Sequence, residues 1–254
     1  MLEIAGIFAV ALLGGAIPLW VRWKERGLHI ALALATGVFL GAVFLHLLPE
    51  VAMQTAEAAL ADDHGHDHPG EHLHGDLLPW LCMLVGALGV YLVEALFLRP
   101  HDHDELHRHR AVSWSALLGL AVHSLTAGMA FAVMRGKNIE SAMLLAILTH
   151  KGFEAFSLTS VFQLAQYSRK QVMLVVFCFA LVTPVGILLG DFLAEGLGSQ
   201  GVLMLNALAA GTFLYVCLCE LLAEVFHHRE DGAAKMGLLA VGVGIMWFAH
   251  SAGI

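Results

Sequence analysis

"GVFLGAVFLHLLPE", residues 37 to 50, is an apolar run that closes on a histidine and a glutamate, and it has a counterpart far along the chain. Set without gaps against "GTFLYVCLCELLAE", residues 211 to 224, it matches the opening Gly, the Phe-Leu pair, the Leu-Leu pair and the final Glu. Leu and Gly recur in any apolar helix, so chance similarity is the alternative, but the polar endings are shared as well. His46 and Glu50 close the first copy, Glu220 and Glu224 the second. If the copies cross a membrane in opposite directions, they form an inverted-topology repeat, an architecture that places its ion sites near the midplane.

Composition makes the bilayer the solvent. Hydrophobic residues are 59% and charged residues 13% of the chain, with a mean hydropathy of +0.77, far from the balance of a soluble domain. Runs of about 20 apolar residues, long enough to cross as helix, lie near 2–21, 28–49, 77–98, 113–134, 139–166, 171–193, 201–225 and 236–254. The expectation is an all-α integral membrane protein of eight spans in a single domain over 1–254, with spans 4 and 5 outside the repeat. The first run has no basic stretch before it and is followed by Arg22, Lys24 and Arg26, the reverse of a cleavable signal peptide. It reads as a retained helix. Cys82, Cys178, Cys217 and Cys219 all fall within spans, so they read as buried thiols and not as a disulfide framework.

Basic residues in short loops set the orientation. Arg22, Lys24, Arg26, Arg99, Arg108, Arg110, Arg169, Lys170, Arg229 and Lys235 fall on one side, and Arg135 and Lys137 on the other. Both termini are therefore expected outside, in the plasma membrane or the inner membrane of a bacterium. Span two then runs outward and span seven inward. The outer side carries Glu57, Asp62, Asp63, Asp67, Glu71, Asp76 and Glu140, an acidic face suited to concentrating cations.

Two biased segments hold nine of the 16 histidines: "ADDHGHDHPGEHLHGD", 61–76, expected outside, and "RPHDHDELHRHR", 99–110, expected to form with residue 111 a cytoplasmic loop. Imidazoles interleaved with carboxylates are borderline ligands for zinc and its neighbours, and a segment containing Gly and Pro can wrap an ion without a fixed site. A merely solvated loop is the alternative. If the loop gathers ions for a path through the membrane, changing His64, His66, His68, His72 and His74 to Ser weakens uptake at scarce zinc far more than at saturating zinc. A fall in maximal flux at unchanged half-saturation would make this loop part of a gate instead of a collector.

Within the spans, ionisable residues are costly and mark function. His150, Lys151 and Glu154 stand in "LTHKGFEAFS", 148–157, and His123 stands halfway along span four. His150 and Glu154, four apart, share a helical face. Two imidazoles and a carboxylate make the three-protein-ligand set of an open zinc site, with a position left for water; a core histidine bonded to another helix is the alternative for His123. The four-residue pairs at the ends read as an entrance site, His46 with Glu50, and an exit site, Glu220 with Glu224, or as interfacial polar residues. Lys151 is expected to place a fixed positive charge beside Glu154 without being a ligand, lowering the cost of burying that carboxylate.

These residues resemble the ZIP (Zrt/Irt-like protein) metal transporters over essentially the whole chain. The resemblance is carried by "VHSLTAGMAF" in span four, "HKGFEAFSL" in span five, "TPVGILLG" in span six and the helix ends "LHLLPE" and "AGTFLYVCLCELLAE". The "HK" opening looks most like the subgroup of animal plasma-membrane zinc importers. The resemblance implies divalent metal uptake toward the cytoplasm by a single transporter domain, with spans 1–3 and 6–8 as an inverted repeat around spans 4 and 5 and with His123, His150 and Glu154 as the principal ligands. The chain departs from the family pattern at Ser124, Ala127, Lys151 and Thr183, where relatives often place amide or acidic ligands; this leaves one metal site where relatives hold two. Zinc is the expected cargo, with Cd2+, Fe2+ and Mn2+ accepting similar ligands. No organic cofactor, nucleic-acid partner or enzymatic activity is expected; the partners are metal ions, the bilayer and, as the one protein partner considered, a second copy in a homodimer. The other readings are an exporter, a membrane metal sensor, and a membrane metalloenzyme, against which stands the lack of an HExxH stretch.

Overall fold

The computed structural model describes residues 2–21, 23–62, 72–98, 105–135, 140–227 and 230–251. The apolar runs fold as α1 Leu2–Trp20, α2 Glu25–Ala42, α3 Leu48–Asp62, α4 His72–Val93, α5 Glu105–Met134, α6 Glu140–Leu164, α7 Arg169–Tyr215, α8 Leu222–His227 and α9 Gly232–Ser251. Among the described residues every regular element is helical, as hydrocarbon requires of segments that must close their own backbone hydrogen bonds. Three wider π turns interrupt them: Val43–Leu47 between α2 and α3, Glu94–Leu98 after α4, and Val216–Leu221 between α7 and α8. Gly198 (φ 51°, ψ −175°) breaks α7 into two spans, in a left-handed conformation that suits a residue without a Cβ.

Seven segments are long and apolar enough to cross a membrane: Leu2–Trp20, Glu25–Ala58, Leu77–Leu98, Glu105–Met134, Arg169–Leu193, Gln200–His227 and Gly232–Ser251. The eighth expected span is α6. Its 25 residues give ample length, but the ionisable groups it carries leave it short of that apolarity, and it is enclosed by α1, α2, α5 and α7 instead. The segment expected as a linker over 99–111 is helical from Glu105 onward. Leu106 is half-buried and His109 buried there, so the helical period continues through a charged stretch. The histidines of the 61–76 segment fall on residues outside the described ones or on the first turn of α4.

Close packing follows the repeat. In its register Gly37 corresponds to Gly211, and Leu34 to Leu208. A Cβ on Gly37 would lie 2.1 Å from Leu239 O, and one on Gly211 1.9 Å from Met83 O. Gly242 sits likewise on Leu34 O (2.2 Å) and Gly86 on Leu208 O (2.5 Å). So α2 packs on α9 as the second half of α7 packs on α4, through the small residues that let membrane helices approach. The central pair shows the same register: Phe39 and Phe213 are equivalent, and their rings touch with centroids 4.9 Å apart. Around spans four and five, a Cβ on Gly14 would lie 2.2 Å from Gly152 O and one on Gly186 2.3 Å from Leu125 O.

These contacts give a paired prediction on one helix. Gly86→Ala is expected to destabilise by about 1–3 kcal/mol, because a methyl cannot enter a contact with backbone without moving a helix. Gly89→Ala, with nothing within 4 Å of its Cβ position, is expected to leave the melting temperature in detergent unchanged or higher. Equal melting temperatures for the two variants would show that the approach at Gly86 is not required.

Candidate metal centre

The α5 and α6 helices meet where each carries its polar groups. His123 comes from α5, and His150 and Glu154 from successive turns of α6. All three are buried. Their donor atoms lie within 4.8 Å of one another: Glu154 Oε1 is 3.4 Å from His123 Nε2 and 3.7 Å from His150 Nε2. His123 Nδ1 lies 3.3 Å from the Ala209 carbonyl. A carbonyl only accepts, so this ring nitrogen carries the proton and Nε2 turns its lone pair toward Glu154. His123 Nε2 and Glu154 Oε1 have no hydrogen-bond partner, and buried polar atoms in that condition call for an explanation. A cation between them supplies one.

Phe213, from the second half of α7, lies flat on His123 with centroids 4.2 Å apart and an 18° interplanar angle. It packs on the imidazole plane and also lies 6.2 Å from the His150 ring, so it bounds the trio from α7. The other oxygen of the carboxylate is already taken. Lys151 Nζ donates to Glu154 Oε2 at 2.8 Å and to Ser124 Oγ at 2.6 Å, and Ser124 Oγ lies 3.2 Å from the same oxygen. The ammonium also sits 4.2 Å from the Phe179 ring centroid, a favourable place for a desolvated cation. Glu154 thus has one oxygen toward the imidazoles and one toward Lys151. Thr183 is buried nearby in sequence to that ring, its hydroxyl without a hydrogen-bond partner.

The family model described as ZIP zinc transporter matches residues 1–103 and 98–250 of this chain. The chain belongs to the ZIP zinc transporter family. It is 26% identical over 292 residues to the zinc transporter ZIP1 of Danio rerio, covering 96% of this chain and 94% of that one. It is 30% identical over 275 residues to the zinc transporter ZIP1 of Bos taurus, covering 91% and 81%. It is 25% identical over 275 residues to the Fe(2+) transport protein 1 of Arabidopsis thaliana, covering 92% and 79%.

In this ZIP chain the other sequence-derived pairs fall at opposite ends of the bundle. His46, in the first π turn, has Nε2 3.8 Å from Glu50 Oε2. Glu50 Oε1 accepts from Gln54 Nε2 at 3.0 Å, and Gln54 Oε1 accepts from Asn206 Nδ2 at 3.2 Å. One cavity is lined by His46, Glu50 and Asn206 together with His123 and His150, and Ala127 is on its wall. The methyl of Ala127 makes its part of that wall apolar.

Glu220 and Glu224 are both buried but turn to different partners. Glu220 Oε1 accepts from Ser115 Oγ at 2.7 Å; close by in sequence, Tyr215 donates to Glu94 of the second π turn. Glu224 takes Arg108 Nη1 on Oε2 at 2.6 Å, and His109 Nδ1 at 2.9 Å and His29 Nε2 at 3.3 Å on Oε1. At the same end Arg26 hydrogen-bonds Asp231, which holds that carboxyl below its ordinary range. Sequence reasoning did not find Phe213, Asn206, His29 or His109 as site neighbours. Phe213 had one available signal, its place opposite Phe39 in the repeat.

Proposed function

We propose that this protein moves divalent transition-metal ions, zinc foremost, toward the cytoplasm through His123, His150 and Glu154. The observation that carries the reading is the trio itself: two imidazoles and one carboxylate oxygen, buried, mutually within 4.8 Å, with two of the facing atoms lacking any hydrogen-bond partner. Three protein ligands leave a position for water or an incoming ligand, and an ion so held can exchange. The relatives' names speak for zinc and for Fe(2+) in those proteins, and this donor set accepts either; Cd2+ and Mn2+ are further candidates.

His46 and Glu50 form the outer entrance, because the cavity they line reaches His123 and His150. Glu220 and Glu224 lie on the way out, on the side to which the basic loop residues assign the cytoplasm. Both termini are then outside, in a plasma or bacterial inner membrane, and the His150–Lys151 opening supports placement in the subgroup of animal-type zinc importers. The family match is to transporters and the sequence holds no HExxH stretch, so transport is preferred over a metalloenzyme.

The test is metal flux into proteoliposomes of known protein orientation, with zinc, cadmium, iron(II) and manganese compared side by side. Zinc accumulation from the Glu50 side is expected. Binding without flux would make the protein a sensor, and flux only in the opposite direction an exporter.

A further inference from the structure

A second set of metal-ligating atoms lies at the opposite end of α5. Glu25, at the start of α2, and Glu105 and His109, on the first turns of α5, bring donor atoms within 4.8 Å of one another. Fourteen residues separate His109 from His123, about 21 Å along a helix, so this group is distinct from the midplane trio. It is also distinct from the Glu220 and Glu224 pair, since neither contributes a donor atom to it.

The histidine is oriented as a ligand. His109 is 5% exposed, and its Nδ1 lies 2.9 Å from Glu224 Oε1. Arg108 Nη2, a donor, also faces Nδ1, but at 3.5 Å; the closer partner is the accepting carboxylate, so the proton belongs on Nδ1 and the lone pair of the neutral ring on Nε2. Nε2 faces Glu105 Oε1 at 4.0 Å, beyond hydrogen-bond reach and a spacing that a bound ion can bridge. A buried carboxylate on one ring nitrogen and a metal on the other is the arrangement that fixes the tautomer of metal-bound histidines. Glu224 is itself held by Arg108 on Oε2 and by His29 on Oε1. It therefore positions His109, and neither of its oxygens is among the atoms grouped with Glu25 and Glu105. Glu25 and Glu105 are exposed, so an ion has a route in from water while the imidazole approaches it from the protein interior.

The geometry points to a second divalent transition-metal site, formed by His109 Nε2 with the carboxylates of Glu25 and Glu105 and oriented by Glu224. One nitrogen and two carboxylates suit zinc, iron(II) and manganese, with water completing the shell. A metal there ties the start of α2 to the start of α5.

The test uses the full chain with every histidine of the 61–76 and 99–107 stretches replaced by serine, so that the loops do not bind. Zinc titration by calorimetry is expected to show two equivalents. Glu105→Gln, at a residue whose side chain is 55% exposed, is expected to remove one equivalent and keep the other with the melting temperature of the metal-free protein unchanged; His123→Ala removes the complementary one. Zinc-edge anomalous diffraction is expected to give a peak against His109 Nε2 that disappears in Glu105→Gln. A midplane peak alone, or two equivalents retained in Glu105→Gln, overturns this inference and leaves the transport reading standing. A peak at His109 alone supports the inference and counts against the midplane site.

Discussion

Alanine at His123, His150 or Glu154 lowers zinc uptake into proteoliposomes by about 100-fold or more, with expression and membrane insertion unchanged. Loss even of a group that only orients a metal ligand typically costs 10–100-fold in affinity or activity, and each of these three supplies a ligand atom outright. The effects are unequal in kind. Without His123 or His150 the carboxylate still faces one imidazole at 3.7 or 3.4 Å. Without Glu154 the trio loses its one anionic member, and the Lys151 ammonium is left buried against Ser124 and the Phe179 ring with no counter-charge from the trio. Glu154→Ala is accordingly the most severe of the three. Near-normal flux in all three variants would remove the trio from the transport path.

Lys151→Ala separates the charge from the ligand set. The metal-free variant is expected to lose about 3–5 kcal/mol of stability, the usual cost of leaving one partner of a buried ion pair uncompensated. Zinc should restore much of it, because the ion then supplies the cation that Glu154 lacks. Some transport should remain, with an altered metal affinity or pH dependence, whereas Glu154→Ala removes transport altogether. Both results follow from the two oxygens of one carboxylate, Oε1 toward the imidazoles and Oε2 held by Lys151 at 2.8 Å. The same division predicts one metal ion at midplane. Two dications about 4 Å apart repel strongly unless several carboxylates surround them, and a fixed ammonium in the neighbouring position makes matters worse. Two well-occupied zinc-edge peaks between His123 and Glu154 would refute this, as would a metal-free Lys151→Ala protein as stable as the parent.

The spans and the trio were legible for the same reason: in a chain whose solvent is hydrocarbon, both the long apolar runs and the few charged residues inside them stand out. The repeat was legible because Phe39 and Phe213, and the glycines beside them, serve the same contact twice. The π turns were not, since one extra backbone residue in a turn leaves no mark on side-chain composition. His109 was read as part of a linker because its neighbours are charged. Its burial depends on Glu224, 115 positions away, and no local pattern reports such a contact. His29 was hidden for a similar reason, lying beside Glu25 and Arg26 at a helix start. Ser124 was noted only as a departure from relatives, although its hydroxyl sits between Lys151 and Glu154.

The π turns at Val43–Leu47 and Val216–Leu221 occupy matching places in the two repeat copies, each just ahead of a terminal glutamate. Each turn holds one residue more than a regular helix would, and a residue is about 100° of rotation. The turns therefore act as phase shifters, setting the azimuth of Glu50 and of Glu224 independently of the stripes of glycine contact upstream. Removing a single residue from either turn would swing the corresponding mouth of the pathway by a quarter of a circle or so while leaving the helix crossings at Gly37 and Gly211 where they are. Chain length at these two points, as much as side-chain identity, sets what each mouth presents to the ion.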